Sequence, residues 1–194
     1  MAKIVAAMNM TLDGYCDHTS MSADDEIHQH YTELLLNSGA ALYGRKTYEL
    51  MEFWPPLVKN PSGNKAMDDF AVVMDNIPKI VFSRTLKKLK WKTATLAKRD
   101  LEDEVLDLKQ QEGKDILVGS PSLIAQLTQL GLIDEYQLAI HPTIVGGGLQ
   151  LFKNITDRVD LKLTKAKIFG CSAILNYYEN AIADAPQEDP DAKH

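Results

Sequence analysis

An α/β fold with a mostly parallel central sheet and antiparallel strands at its C-terminal end is predicted by three features of this sequence. Short apolar runs of strand length alternate with amphipathic stretches of helical spacing through most of the chain. Glycine- and hydroxyl-rich turns lead straight from several of those runs into helices. Near the end, Leu161 to Ile168 and Ala173 to Tyr178 alternate around Phe169-Gly170-Cys171 like a hairpin. Strands alternating with helices place helices on both faces of a parallel sheet, and the hairpin adds the antiparallel strands.

Taken in order, Lys3 to Met8 is an apolar run suited to a buried strand, broken by Thr11-Leu12-Asp13-Gly14. A helix follows from Ser22, which can cap it. Asp24, Asp25 and Glu26 suit its positive end, Ile27, Tyr31, Leu34 and Leu35 share one face, and Asn37-Ser38-Gly39 stop it. Ala40 to Tyr43 is the next strand, and Gly44-Arg45-Lys46-Thr47 leads into a helical segment, Tyr48 to Phe53. Trp54 to Gly63 reads as a loop, Lys65 to Met74 as a helix, and Lys79 to Phe82 as a strand followed by Ser83-Arg84-Thr85. A short strand lies near Ala94 to Leu96, and Leu101, Val105 and Leu108 mark a helix ended by Gly113. Ile116-Leu117-Val118 then runs through Gly119-Ser120-Pro121-Ser122 into another helix, and Glu135 to His141 is a strand. The fold is expected to occupy residues 1–180 as a single domain, with a disordered tail over 181–194.

Composition excludes several function classes. With 27 acidic against 21 basic residues, a formal charge of −6 and no long basic run, nucleic acid is not an expected partner. No apolar stretch approaches the ~18 residues that would span a bilayer, and the N-terminus lacks a signal-peptide pattern, so the expectation is a cytoplasmic protein without a membrane partner. Cys16 and Cys171 are expected as reduced thiols. His28 and His30, two apart on a helix, point to different faces, which argues against a metal pair.

In an open α/β sheet, ligands gather beyond the carboxyl ends of the strands. Gly44 to Thr47, Ser83 to Thr85, Gly119 to Ser122 and Gly146-Gly147-Gly148 all fall at such ends. Arg45 and Arg84 offer planar forks for phosphate oxygens, Thr47, Ser83, Thr85 and Ser122 offer hydroxyls, and Pro121 begins a helix whose free amides favour an anion. Neither G-x-G-x-x-G nor a P-loop lysine motif is present, so a dinucleotide would be held in another way.

The segments MNMTLDGY, LYGRKTYE, IVFSRTL and ILVGSPSLIAQLTQLGLIDEYQLAIHPTIVGGGLQLF resemble a dihydrofolate reductase-like family, in particular the C-terminal reductase domain of bacterial riboflavin biosynthesis enzymes. That resemblance implies a three-layer dihydrofolate reductase-like fold, NADPH as hydride donor and a small heterocyclic (pterin or pyrimidine-type) or carbonyl substrate. It implies Gly44, Arg45, Lys46 and Thr47 beside the adenosine phosphates and Ser83, Arg84 and Thr85 near the 2′-phosphate. Gly119, Ser120, Pro121, Ser122 and Leu123 would take the pyrophosphate, with Gly146 and Gly147 near the nicotinamide. It further implies a homodimer packed through strands near the C-terminus.

The substrate half departs from the pattern. Riboflavin-pathway reductases carry V-E-A-G-P, whose glutamate helps hold the substrate, and Val118 stands at the matching place. Leu50 to Pro55 replaces their A-D-D-P segment, and Ser120 replaces one of two adjacent glycines found in the folate enzymes. Folate reductases also place a carboxylate in the first helix. His28 falls closest to that position, and Glu26 or Asp25 would serve only if the helix were shifted. Asp13 and Glu26 are therefore the candidate proton donors, with Asp13 and Trp54 facing the substrate. A nucleotide-binding module of the same fold without reductase turnover is the alternative.

Overall fold

A computed structural model describes residues 1–181, and the expected tail past Ala181 lies outside the described residues. The strands are β1 (Ile4–Thr11), β2 (Ser38–Gly44), β3 (Lys79–Phe82), β4 (Ala94–Leu96), β5 (Asp115–Val118), β6 (Glu135–His141), β7 (Leu161–Ile168) and β8 (Ile174–Asn180). The helices are α1 (Asp25–Leu36), α2 (Arg45–Met51), α3 (Pro55–Lys59), α4 (Lys65–Asn76), α5 (Leu101–Gln110) and α6 (Pro121–Gln129). One eight-stranded sheet runs in the order β4-β3-β2-β5-β1-β6-β8-β7. Strands β4 through β6 pair in parallel, whereas β8 pairs antiparallel with β6 and with β7. This is the predicted three-layer α/β architecture.

Strand alternation divides the core. Ile4 and Ala6 of β1, with Ile116 and Val118 of β5, face Val105 of α5 and Leu123, Ile124 and Leu127 of α6. Val5, Ala7 and Leu117 point the other way, toward Leu35 of α1, Tyr48 of α2 and Phe70 and Met74 of α4. A third cluster joins Ile27 of α1 to Ala139, Phe169, Ala173 and Leu175 near the C-terminal hairpin. Because the parallel strands share one direction, the ends of β1, β2, β3, β5 and β6 open on the same edge.

Several boundaries shift for identifiable reasons. Asp24, not Ser22, caps α1, its carboxylate accepting the Ile27 amide at 2.9 Å. Ser38 joins β2 rather than the stop before it: it is buried, and its hydroxyl donates to the Leu34 carbonyl at 2.7 Å. Helix α2 begins at Arg45, directly after Gly44, and Pro55 starts the short α3 where a loop was expected.

Candidate functional site

A cavity of about 580 Å3 lies between α1 and the sheet at the strand-end edge. Its floor is Ala7 and Asn9 of β1, Tyr43 of β2 and Leu117 of β5. Ile27, His28 and Tyr31 of α1 form one side, and Trp54, Phe70 and Met74 close the far end. Lys46 and Thr47 of α2, with Gly119 and Pro121 at the start of α6, form the opposite rim.

The rim is organised by backbone. The hydroxyl of the buried Ser120 accepts the Gly44 amide at 2.8 Å and so ties the end of β2 to the end of β5. A Cβ on Gly119 would sit 3.1 Å from the Tyr43 ring, so a side chain here would have to press that buried ring back by a few tenths of an ångström. The amides of Leu123 and Ile124 both donate to the Ser120 carbonyl, and Pro121 has none, which leaves the Ser120 and Ser122 amides without an acceptor among the described residues. Leu123 was expected among the pyrophosphate residues; it is instead buried in the core between the sheet and α6.

The predicted cations divide. Arg45 is exposed and pairs with Glu49 at 3.1 Å, the neighbour one helical turn on. Arg84 is exposed and makes no ion pair among the described residues. Ser83 accepts the Thr85 and Leu86 amides at 3.2 and 3.0 Å, which orders the turn after β3 but spends much of its hydroxyl locally.

Both candidate proton donors are engaged elsewhere. Asp13 accepts the Thr11 hydroxyl at 2.6 Å and the Val145 and Gly146 amides at 3.1 and 2.7 Å. The Thr11 hydroxyl first, then the amides, hold its carboxyl below the usual range, so it is ionised and has no proton to give. Its function in the fold is to clamp the Gly146 loop, where Gly146 adopts a φ of +72°. Gly147 has open space around the Cβ position and no positive φ. Glu26 accepts the Gly170 amide at 2.7 Å, and Asp24 the Cys171 amide at 2.8 Å, so these carboxylates fasten the start of α1 to the β7–β8 turn. Neither Asp13 nor Glu26 lines the cavity.

Trp54 does line it, edge-on to Phe70 at 4.5 Å, to Phe53 at 5.2 Å and to His28 at 6.1 Å. Val118 needs correction as a marker of substrate binding. It packs toward α6, on the face of the sheet opposite the cavity, and the β5 wall of the cavity is Leu117.

Residue-by-residue reading missed much of the polar lining: Asn9, His18, Tyr31 and His141. His141 is buried and lies 3.4 Å from the Asn9 side-chain oxygen; burial first depresses its pKa and keeps it neutral. Burial also pushes the Cys16 thiol up to about 12, so this lining residue stays protonated. The spacing of His28 and Tyr31, three apart on one helical face, was the available signal for the α1 wall. No carboxylate lines the cavity among the described residues. The site can desolvate and stack a flat ring, with imidazole, amide and hydroxyl groups for polar contact.

Comparison with known proteins supports the fold and gives the family. The RibD C-terminal domain family matches residues 2–175. The uncharacterized protein YyaP of Bacillus subtilis (strain 168) is 31% identical over 180 residues, 91% of this chain and 94% of that protein. RibD of Acinetobacter baumannii superposes with a TM-score of 0.68 at 16% identity, over 94% of this chain and 59% of that one. A pyrimidine reductase-like protein of Corynebacterium diphtheriae superposes with a TM-score of 0.65 at 14% identity, over 93% of this chain and 92% of that one. With the sheet order, the antiparallel C-terminal strands and a profile covering nearly the whole described chain, the protein belongs to the RibD C-terminal domain family, a reductase-type family.

Proposed function

We propose that this protein is an NADPH-dependent reductase acting on a small heterocyclic (pterin or pyrimidine-type) or carbonyl substrate. The observation that carries this reading is the continuity of the cavity, from the Gly119–Pro121 turn and Lys46 on one rim to the aromatic wall of Trp54 and Phe70 on the other. The residues fit a dinucleotide: the Ser122 amide is free at a helix start, the Gly119 wall carries no side chain and lies close against the Tyr43 ring, and Arg84 and Lys46 are exposed cations. When bound, the nicotinamide supplies hydride. Lys46, Ser122 and Arg84 would hold phosphates, and a 2′-phosphate would reward the Arg84 fork. The aromatic wall would orient the acceptor and exclude water, so the protein contributes positioning above all.

The direct test is NADPH binding followed by oxidation in the presence of a panel of pterins, pyrimidines and aldehydes. Saturable binding with turnover of at least one acceptor is expected, and no binding of either nicotinamide nucleotide would remove the reading. The engagement of Asp13 and Glu26 outside the cavity favours one second reading, a nucleotide-binding module without turnover. NADPH binding with a silent panel would select it.

The same proposal makes the protein a cytoplasmic homodimer. Strand β7 is an outer strand exposed along most of its length, with Leu163 and Ile168 outward. A monomer mass by light scattering would remove the homodimer.

A further inference from the structure

Between Asn76 and Arg99 the chain carries eight of its 21 cationic side chains and none of its 27 carboxylates. On a molecule of net charge −6 this is a concentrated reversal of sign. Two of the eight are already engaged. The buried Lys79 donates to the Ile77 carbonyl and the Thr93 hydroxyl at 2.7 and 2.8 Å, and Arg99 pairs with Asp107 at 2.7 Å. Lys90 lies 3.8 Å from Glu52 at the end of α2. Arg84, Lys87, Lys88, Lys92 and Lys98 are exposed and make no ion pair among the described residues.

We infer that Lys87, Lys88 and Lys98 form an electrostatic capture surface, which speeds the arrival of an anionic dinucleotide at the neighbouring rim without touching it once bound. The inference rests on the reductase reading for the identity of the anion, but its geometry comes from the strand register. Phe82 is level with Gly44 in the β2–β3 pair, so the turn after β3 emerges one strand, ~4.8 Å, from the Gly44 end of the rim. Leu96 pairs with Val81, and the Ala97 amide still donates to the Val81 carbonyl at 3.0 Å, which brings Lys98 out near the level of Ser83 on the next strand. Lys87 and Lys88 follow shortly after Arg84. Leu86 and Leu89 pack against the core cluster of Tyr48 and Trp91, and the Tyr48 hydroxyl accepts the Lys90 and Trp91 amides at 3.1 and 3.3 Å. The segment is thereby fastened along α2 with Lys87 and Lys88 left exposed.

These charges are close enough to act and poorly suited to contact. Lys87 lies at most ~10 Å of chain beyond Arg84, about one screening length at 0.1 M salt, so its charge is felt at the rim. A lysine is a strongly hydrated point charge on a flexible stem, suited to setting a potential, whereas the fork for a phosphate contact belongs to Arg84 in the turn itself. The carboxylates of α2 on this side do not cancel the patch: Glu49 is held by Arg45 and Glu52 by Lys90. An anion meets an acidic molecule elsewhere, and a patch of opposite sign beside a cleft raises association rates about 10-fold or more.

Stopped-flow binding of NADPH to the full chain, followed by nucleotide fluorescence, separates capture from contact. Lys87→Gln/Lys88→Gln should slow association about fourfold at ~20 mM salt and leave dissociation within about twofold, and the gap should close at ~0.5 M salt. Lys153→Gln/Lys162→Gln removes the same two charges far from this edge. Lys153 adjoins Asn154, whose carbonyl accepts the Gln129 side chain of α6 at 2.8 Å, and Lys162 is on β7 at the opposite end of the sheet. Association should change by less than about 1.5-fold in this second pair. Association in the first pair no slower than in the second overturns the inference, as does a deficit that persists at ~0.5 M salt. Faster dissociation with association unchanged also overturns it, by making the lysines ligand contacts. Absent NADPH binding would instead remove the reductase reading, and the inference with it.

Discussion

The two sides of the cavity are built by different means. The rim at the ends of β2 and β5 is a backbone construction, in which Gly119 packs its backbone close against the Tyr43 ring and the Ser120 hydroxyl holds the Gly44 amide. The α1 wall is a side-chain construction, with His28, Tyr31 and the aromatic residues Trp54 and Phe70 meeting from separate elements. Backbone sites are set by local turn chemistry, which constrains which ligand group can approach. Side-chain sites are set by tertiary packing and can change substrate while the rim stays as it is.

The largest expected effect tests the rim. Gly119→Val adds a branched side chain where even a Cβ would lie 3.1 Å from the Tyr43 ring, and Tyr43 is itself buried with its hydroxyl bonded to the Met74 sulfur. Overpacking of this kind costs about 3 kcal/mol of folding stability, and because the new side chain also narrows the rim where the cofactor would sit, a loss of NADPH affinity of roughly 100-fold, about 2.7 kcal/mol of binding, is expected. Isothermal titration would measure it. Affinity within a factor of three of wild type would mean that the rim does not hold the cofactor.

The next effect belongs to the α1 side and should have a pH signature that the rim lacks. His30 projects toward Phe169 and Tyr177, at ring separations of 6.0 and 6.3 Å, and its Nε2 has no partner. Burial, followed by the charge of Lys167, depresses its pKa to about 4. The unfolded chain therefore binds a proton that the folded chain refuses between about pH 6.5 and 4. Stability is full above that window and falls as pH drops through it, by roughly 2 kcal/mol from this residue. Urea unfolding at pH 7 and at pH 4.5 should show the loss in the wild type and a smaller one in His30→Phe. Equal losses in both would assign the acid sensitivity elsewhere, with the depressed His141 the next candidate.

These two regions also show how far a sequence can be read. The rim was legible because Gly119-Ser120-Pro121-Ser122 and Gly44 sit at strand ends, and turn chemistry is local. Leu123 was misplaced for the opposite reason: whether a residue in the first turn of a helix faces a ligand or the core depends on how the helix lies on the sheet. The α1 wall was only half legible. Its helical face was visible as Ile27, Tyr31, Leu34 and Leu35, but nothing local shows that part of an apolar face borders a cavity instead of core. Asp13 and Glu26 looked catalytic because carboxylates near a cleft are suspects, whereas their amide partners come from more than 100 positions away in the chain. Val118 shows the same limit, since strand alternation decided its face and the alternation of β5 puts Leu117 on the cavity.

A smaller effect separates the rim's structural role from its binding role. Ser120→Ala removes the acceptor of the Gly44 amide, and an unsatisfied, partly buried amide costs about 1 kcal/mol. No titratable group takes part in that bond, so the loss should be the same at pH 5 and at pH 8. A pH-dependent loss would couple the rim to the histidines of the α1 side and weaken the division drawn between them.

The smallest expected effect is also the sharpest. If Asp13 were the general acid, Asp13→Asn would lower kcat by a factor on the order of 100 or more. Its carboxyl is held ionised by the Thr11 hydroxyl and by the Gly146 and Val145 amides, and it lies outside the cavity lining. Asparagine keeps one oxygen for the Gly146 amide, so kcat for whichever acceptor turns over should change less than about threefold, with KM for NADPH rising modestly as the glycine loop loosens. The pH profile should keep its shape, because the clamp contributes no proton near neutrality. In strong acid the clamp itself fails: as pH falls through the depressed Asp13 pKa the carboxylate takes a proton and gives up its acceptor role, while above the ordinary carboxylate range its contribution is complete. A large fall in kcat with KM unchanged would return Asp13 to the reacting atoms.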